Sequence, residues 1–101
     1  MSLYYVQKLL YDLNRDPAVK QRYRQDFEAL VNEYDLDDEE RGAILKPDIG
    51  LLYVLGVNGQ ILMHYAALRG YEWDEYLEAM RVGLREHGQP RAGVYKTVGD
   101  Y

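Results

Sequence analysis

From Ile49 to Val57 the chain runs IGLLYVLGV, with no charged side chain, and the pair Asn58-Gly59 then separates it from a second apolar stretch, Gln60 to Arg69. A segment this apolar has to be enclosed, so the rest of the chain must be built around it. Two folds compete for it. An Asn-Gly pair between apolar runs is the strongest short signal for a β-hairpin. Against that, Leu51, Leu52 and Leu55 recur at helical spacing, and Gln60 to Arg69 is rich in Leu, Met and Ala and stops at Gly70, a favoured helix terminator. The segment predicts a central helix, apolar on most sides and broken between Gly56 and Gly59. It is far short of the ~18 to 20 apolar residues needed to span a bilayer.

The flanking sequence supplies the enclosing helices. Leu3, Val6, Leu10 and Leu13 fall on one helical face, and Asp16-Pro17 then provides a cap residue followed by the proline favoured at a first helical position. Val19, Tyr23, Phe27, Leu30, Val31 and Tyr34 continue at helical spacing from about Pro17 to Tyr34. Asp37 with Glu40 forms a capping-box pattern with Leu36 as staple, placing Ala43, Ile44 and Leu45 on a short helix that ends at Pro47. A last helix, about Glu72 to Glu86, directs Trp73, Leu77, Met80 and Leu84 inward and carries acids in its first turn. The expected architecture is all-α, one small domain of five or six short helices. Gln89 to Tyr101 holds too few apolar residues to repay its own ordering, and reads as a flexible tail unless a partner holds it.

Charge and composition narrow the function. Net charge is −5, which disfavours a nucleic-acid surface because phosphate contacts need a basic face. The one basic cluster, Lys20, Arg22 and Arg24, is expected to be neutralised by Asp26 and Glu28 one helical turn on. There is no cysteine, hence no disulfide and no thiolate chemistry, and with no signal-peptide pattern in the first residues the reading is a cytoplasmic protein away from membranes. Tyrosine is the outlier, 11 copies against one Phe and one Trp. Its large ring and wet hydroxyl suit either the rim of a small core or a surface that a partner covers.

The chain carries no constellation able to do chemistry alone. Its two histidines, His64 and His87, stand 23 positions apart on different expected helices, so no metal site is expected. Asp35 to Glu40 lacks the alternating spacing of a calcium loop and reads as a helix start. Gly56 to Gln60 lacks the Lys-Ser/Thr of a phosphate loop, and the single serine, Ser2, excludes a serine triad.

Two stretches carry a resemblance. Asn58, Gly59 and Gln60 are followed at four residues by His64 and then Ala66, and Tyr76 to Met80 reads Tyr-x-Glu-x-Met. With weaker likeness back to about Asp16, the chain resembles the alpha (small) subunit of protocatechuate 4,5-dioxygenase and other two-component extradiol dioxygenases, a LigA-like helical domain over 1–88 followed by a tail, 89–101. The resemblance implies a noncatalytic subunit that caps an iron-bearing beta subunit opening a catechol-type aromatic ring. It implies no cofactor in this chain and Fe(II), with the catalytic base, in the partner. The matching positions expected to face that partner and its pocket are Asn58, Gly59, Gln60, Met63 and His64, with Tyr53 and Tyr65 as aromatic support. Val94, Tyr95, Val98 and Tyr101 are the expected tail contacts.

A reading from another class remains beside it: the same scaffold as leader or recognition domain of a ribosomally made, modified (borosin-like) peptide precursor, with Gln89 to Tyr101 as the substrate.

Overall fold

A computed structural model describes residues 3–88. Among them are seven α-helices and no strand: α1 Leu3–Arg15, α2 Pro17–Gln25, α3 Phe27–Val31, α4 Asp38–Leu45, α5 Ile49–Leu55, α6 Gly59–Leu68 and α7 Trp73–His87. The expected all-α architecture is borne out, and the central apolar segment is a pair of helices rather than a hairpin. Helix α5 lies mainly against α7, and α1 mainly against α6. Leu3, Val6, Leu9, Leu10 and Leu13 of α1 join Leu52 and Leu62 in one continuous core.

Side-chain caps set most of the boundaries. Asp16 accepts the Ala18 N–H at 2.9 Å and Pro17 opens α2. Asp37 and Glu40 form the reciprocal capping box that starts α4, with both bonds at 2.8 Å, and Leu36 is buried beside it. Asp48 starts α5 by accepting the Leu51 N–H at 3.1 Å. Gly56 ends α5 in the left-handed region at φ +111°, which only glycine adopts without strain.

The helix expected from Pro17 to Tyr34 is two helices, and this raises the count to seven. Asp26 sits in extended backbone between them and its carboxylate accepts the Ala29 N–H at 3.1 Å. An aspartate cap thus competes with helix continuation and wins, because α2 has little to lose: it buries no residue completely. Val19, Tyr23 and Phe27 only lean on the core, half-buried. With Asp26 used as a cap, Arg22 pairs with Glu33 instead of the expected Asp26.

Helix α7 is rotated from expectation. Tyr76 and Gly83 are its buried residues, Leu77, Met80 and Leu84 are half-buried on its flank, and Trp73 is 60% exposed. The cause is the crossing with α5, where Gly50 and Gly83 face one another. A Cβ on Gly50 would stand 2.5 Å from the Ala79 carbonyl oxygen and 2.6 Å from the Gly83 Cα. Backbones approach this closely only where both helices present glycine, and that contact turns the glycine face inward in place of the Trp73 face.

No helix among the described residues is long and apolar enough to cross a membrane.

Candidate functional site

The turn between α5 and α6 is held from three sides. Val57 is buried beneath it. The Asn58 side chain caps α6, accepting the N–H groups of Gln60 at 2.9 Å and Ile61 at 3.1 Å. The Asn58 backbone N–H donates to Gln7 Oε1 on α1 at 2.6 Å, and the Tyr76 hydroxyl of α7 donates to the Gly59 carbonyl at 3.0 Å. The turn is therefore fixed to both ends of the sequence, which gives its outward groups a defined position.

Among the expected site residues, Asn58, Gly59, Gln60 and His64 are exposed and Met63 and Tyr53 are half-buried. Gln60 and His64 are one helical turn apart, so they share the outer face of α6. Tyr53 lies close enough to Tyr76 to help raise that phenol's pKa, behind the larger effect of burial. Tyr65 does not belong to this surface. It is 1% exposed, and its hydroxyl donates to the Ile44 carbonyl at 2.6 Å, joining α6 to α4. Burial pushes its pKa well above the usual tyrosine value, against a lowering by Arg69, whose guanidinium donates to the same oxygen at 3.2 Å.

His64 is a surface histidine rather than a core one. It lines a pocket of about 300 Å³ together with Leu10, Leu13 and Asn14 of α1, Lys20 of α2 and Leu68. Asn14, Lys20 and His64 supply polar side chains with N–H donors to that lining. The described residues contain no group of three or more His, Cys, Asp or Glu that could hold a metal ion.

Two residues at this end were not read as part of it from the sequence. Trp73 stacks at a tilt on Tyr76, with ring centroids 5.5 Å apart, extending the surface around the turn with an exposed indole. Gln7 anchors Asn58. Helical periodicity assigned Trp73 to the core, and nothing local marks Gln7, whose partner is 51 positions away.

The family model described as "Aromatic-ring-opening dioxygenase LigAB, LigA subunit" matches residues 6–86. The chain belongs to the LigA family. The match runs from α1 to the last turn of α7, and so takes in both motif stretches and the turn they flank. This is a LigA-type dioxygenase subunit. No curated protein and no solved structure matches the chain. Val94, Tyr95, Val98 and Tyr101, and with them the peptide-precursor reading of Gln89 to Tyr101, lie outside both the described residues and the matched range.

Proposed function

We propose that this LigA-type subunit binds and caps an iron-bearing, LigB-type catalytic subunit in a cytoplasmic extradiol dioxygenase that opens a catechol-type ring in aromatic-compound catabolism. The observation that carries this reading is the family match over residues 6–86. Beside it stands the distribution of possible ligands: His64 on α6 and His87 at the end of α7 belong to no group of three or more His, Cys, Asp or Glu among the described residues, an arrangement compatible with iron held by the partner. Ferrous iron held by two histidines and a carboxylate supplies open positions for catechol and dioxygen, and in this reading all three ligands come from the partner.

The contribution of this chain is position and exclusion of water. Asn58, Gly59, Gln60, Met63 and His64 face the partner and its pocket mouth, with Tyr53 and the added Trp73 at the rim. The His64 imidazole offers an N–H to a ring substituent or a partner carbonyl. Burying Trp73, Tyr53 and Met63 supplies the apolar contact that holds the lid in place.

Reconstitution tests this. Ring opening is followed for the LigB-type subunit alone, this chain alone with Fe(II), and the two mixed. The expected result is no turnover by this chain, and turnover by the mixture above that of the catalytic subunit. Turnover by this chain alone, or failure of the two to associate, contradicts it.

A further inference from the structure

A groove of about 650 Å³ runs the length of α7 on the side where α5 crosses it. Its floor is apolar and low because Gly50 and Gly83 bring the backbones together, with Ile49, Ala79 and Val82 around them. Its rim is acidic: Asp74, Glu75, Glu78 and Glu86 line it from one end of α7 to the other, opposed by Lys46. Glu78 is paired with Arg81, whereas Glu86 has no ion-pair partner among the described residues. Nothing in the candidate site described above uses this groove.

We propose that the groove is the docking site of the chain's own segment 89–98, laid back along α7 with Val94 and Val98 on the glycine floor and the long side chains of Arg91 and Lys96 reaching the acidic rim. Three observations support this occupant. The groove begins at Glu86, and α7 ends at His87, so the segment starts at the groove's mouth. Gly88, at φ +84°, holds a backbone conformation open to glycine that redirects the chain there. Charge and reach also agree. Gln89 to Val98 carries two cations and no acid, the complement of the rim. From Glu86 to Asp74 the helix rises about 18 Å, and ten extended residues span up to about 33 Å, which leaves enough chain for the reversal.

The test uses the full chain, whose lack of cysteine permits one added thiol. A nitroxide on the Lys96→Cys variant should be placed after confirming by salt titration that the remaining Arg91 still holds the segment; a Thr97→Cys label leaves both cations intact and is the preferred probe. The expected result is loss of the amide NMR signals of Ala79, Val82 and Gly83 in the labelled chain, their return at about 1 M salt, where charges are screened beyond ~3 Å, and their return in a Glu78→Lys/Glu86→Lys variant that keeps its melting temperature. Three outcomes overturn the proposal: no signal loss on α7; loss only in a mixture with unlabelled, isotope-enriched chain, which identifies a second copy as occupant; or loss that appears only when the catalytic subunit is added.

Discussion

The crossing of α5 and α7 and the outer face of α6 are built on opposite terms. At the crossing every residue choice answers to the chain itself. A Cβ added to either Gly50 or Gly83 would stand within 2.6 Å of the other's Cα, and Ile49, Leu52 and Val54 of α5 are no more than 1% exposed. On α6, Gln60 and His64 point outward, and no hydrogen bond holds either side chain to another described residue. Interior packing explains the first set completely and the second not at all. What differs is the part each plays inside the fold: the glycines are required by the packing, whereas the exposed side chains of Gln60 and His64 take no part in it.

That contrast can be broken by mutation, and the largest effect belongs to the crossing. Gly83→Ala forces apart two helices in backbone contact, so a loss of about 3 kcal/mol or more is expected, lowering the melting temperature by roughly 12 to 24 °C for a domain of this size. Urea unfolding followed by circular dichroism measures it. A loss below about 0.5 kcal/mol would show that the helices separate freely and that the crossing does not specify the fold.

Tyr65→Phe ranks next. It removes the hydroxyl that donates to the Ile44 carbonyl and leaves that acceptor stranded in the core, worth about 1 to 3 kcal/mol. The same measurement applies, and an unchanged midpoint would show that this bond adds nothing to the fold.

Asn58→Ala takes away the cap of α6 at an expected loss of about 1 kcal/mol. It sharpens the comparison because Asn58 is exposed and yet has an internal role, the cap of α6. Its stability loss should be recovered by Asn58→Asp or Asn58→Ser, which keep an acceptor at the same place.

Alkaline pH gives a smaller effect on the interior. Burial first, then its hydrogen bond to Asp12, raise the Tyr34 pKa to about 12. The folded chain therefore favours the neutral phenol more than the unfolded chain does. That contribution is fully present below pH 10 and is lost as pH rises towards about 12. In Tyr34→Phe the fall in stability over this window should be shallower, read as urea midpoints at pH 9 and above.

How much of this was legible in the sequence depended on whether the deciding interaction was local. Asp16-Pro17, the Asp37/Glu40 box and Gly70 act within a turn of their own positions, and those boundaries are where periodicity placed them. Asp26 is local too, but its carboxylate has two uses, pairing one turn back with Arg22 or capping one turn ahead, and sequence spacing favours neither. The face of α7 was misjudged because apolar side chains were counted as core, whereas the inward face is chosen by the absence of a side chain at Gly83. That depends on Gly50, 33 positions away, which no pattern within α7 contains. The candidate site divided in the same way. The helix break was expected between Gly56 and Gly59 and the site residues came from the family resemblance, while Tyr65 was drawn inward by Ile44 and Trp73 was released outward by the rotation of α7.

The account rests most directly on His64, whose side chain the fold does not use. The measurement is titration of the His64→Ala variant against the LigB-type subunit, with turnover per assembled complex and the melting temperature of the free chain recorded together. Because the residue is exposed, stability should change by less than about 0.5 kcal/mol, while affinity or turnover falls roughly ten-fold, equivalent to about 1.4 kcal/mol. A lowered melting temperature with unchanged affinity and turnover would contradict the account, and would make His64 a structural residue like those at the glycine crossing.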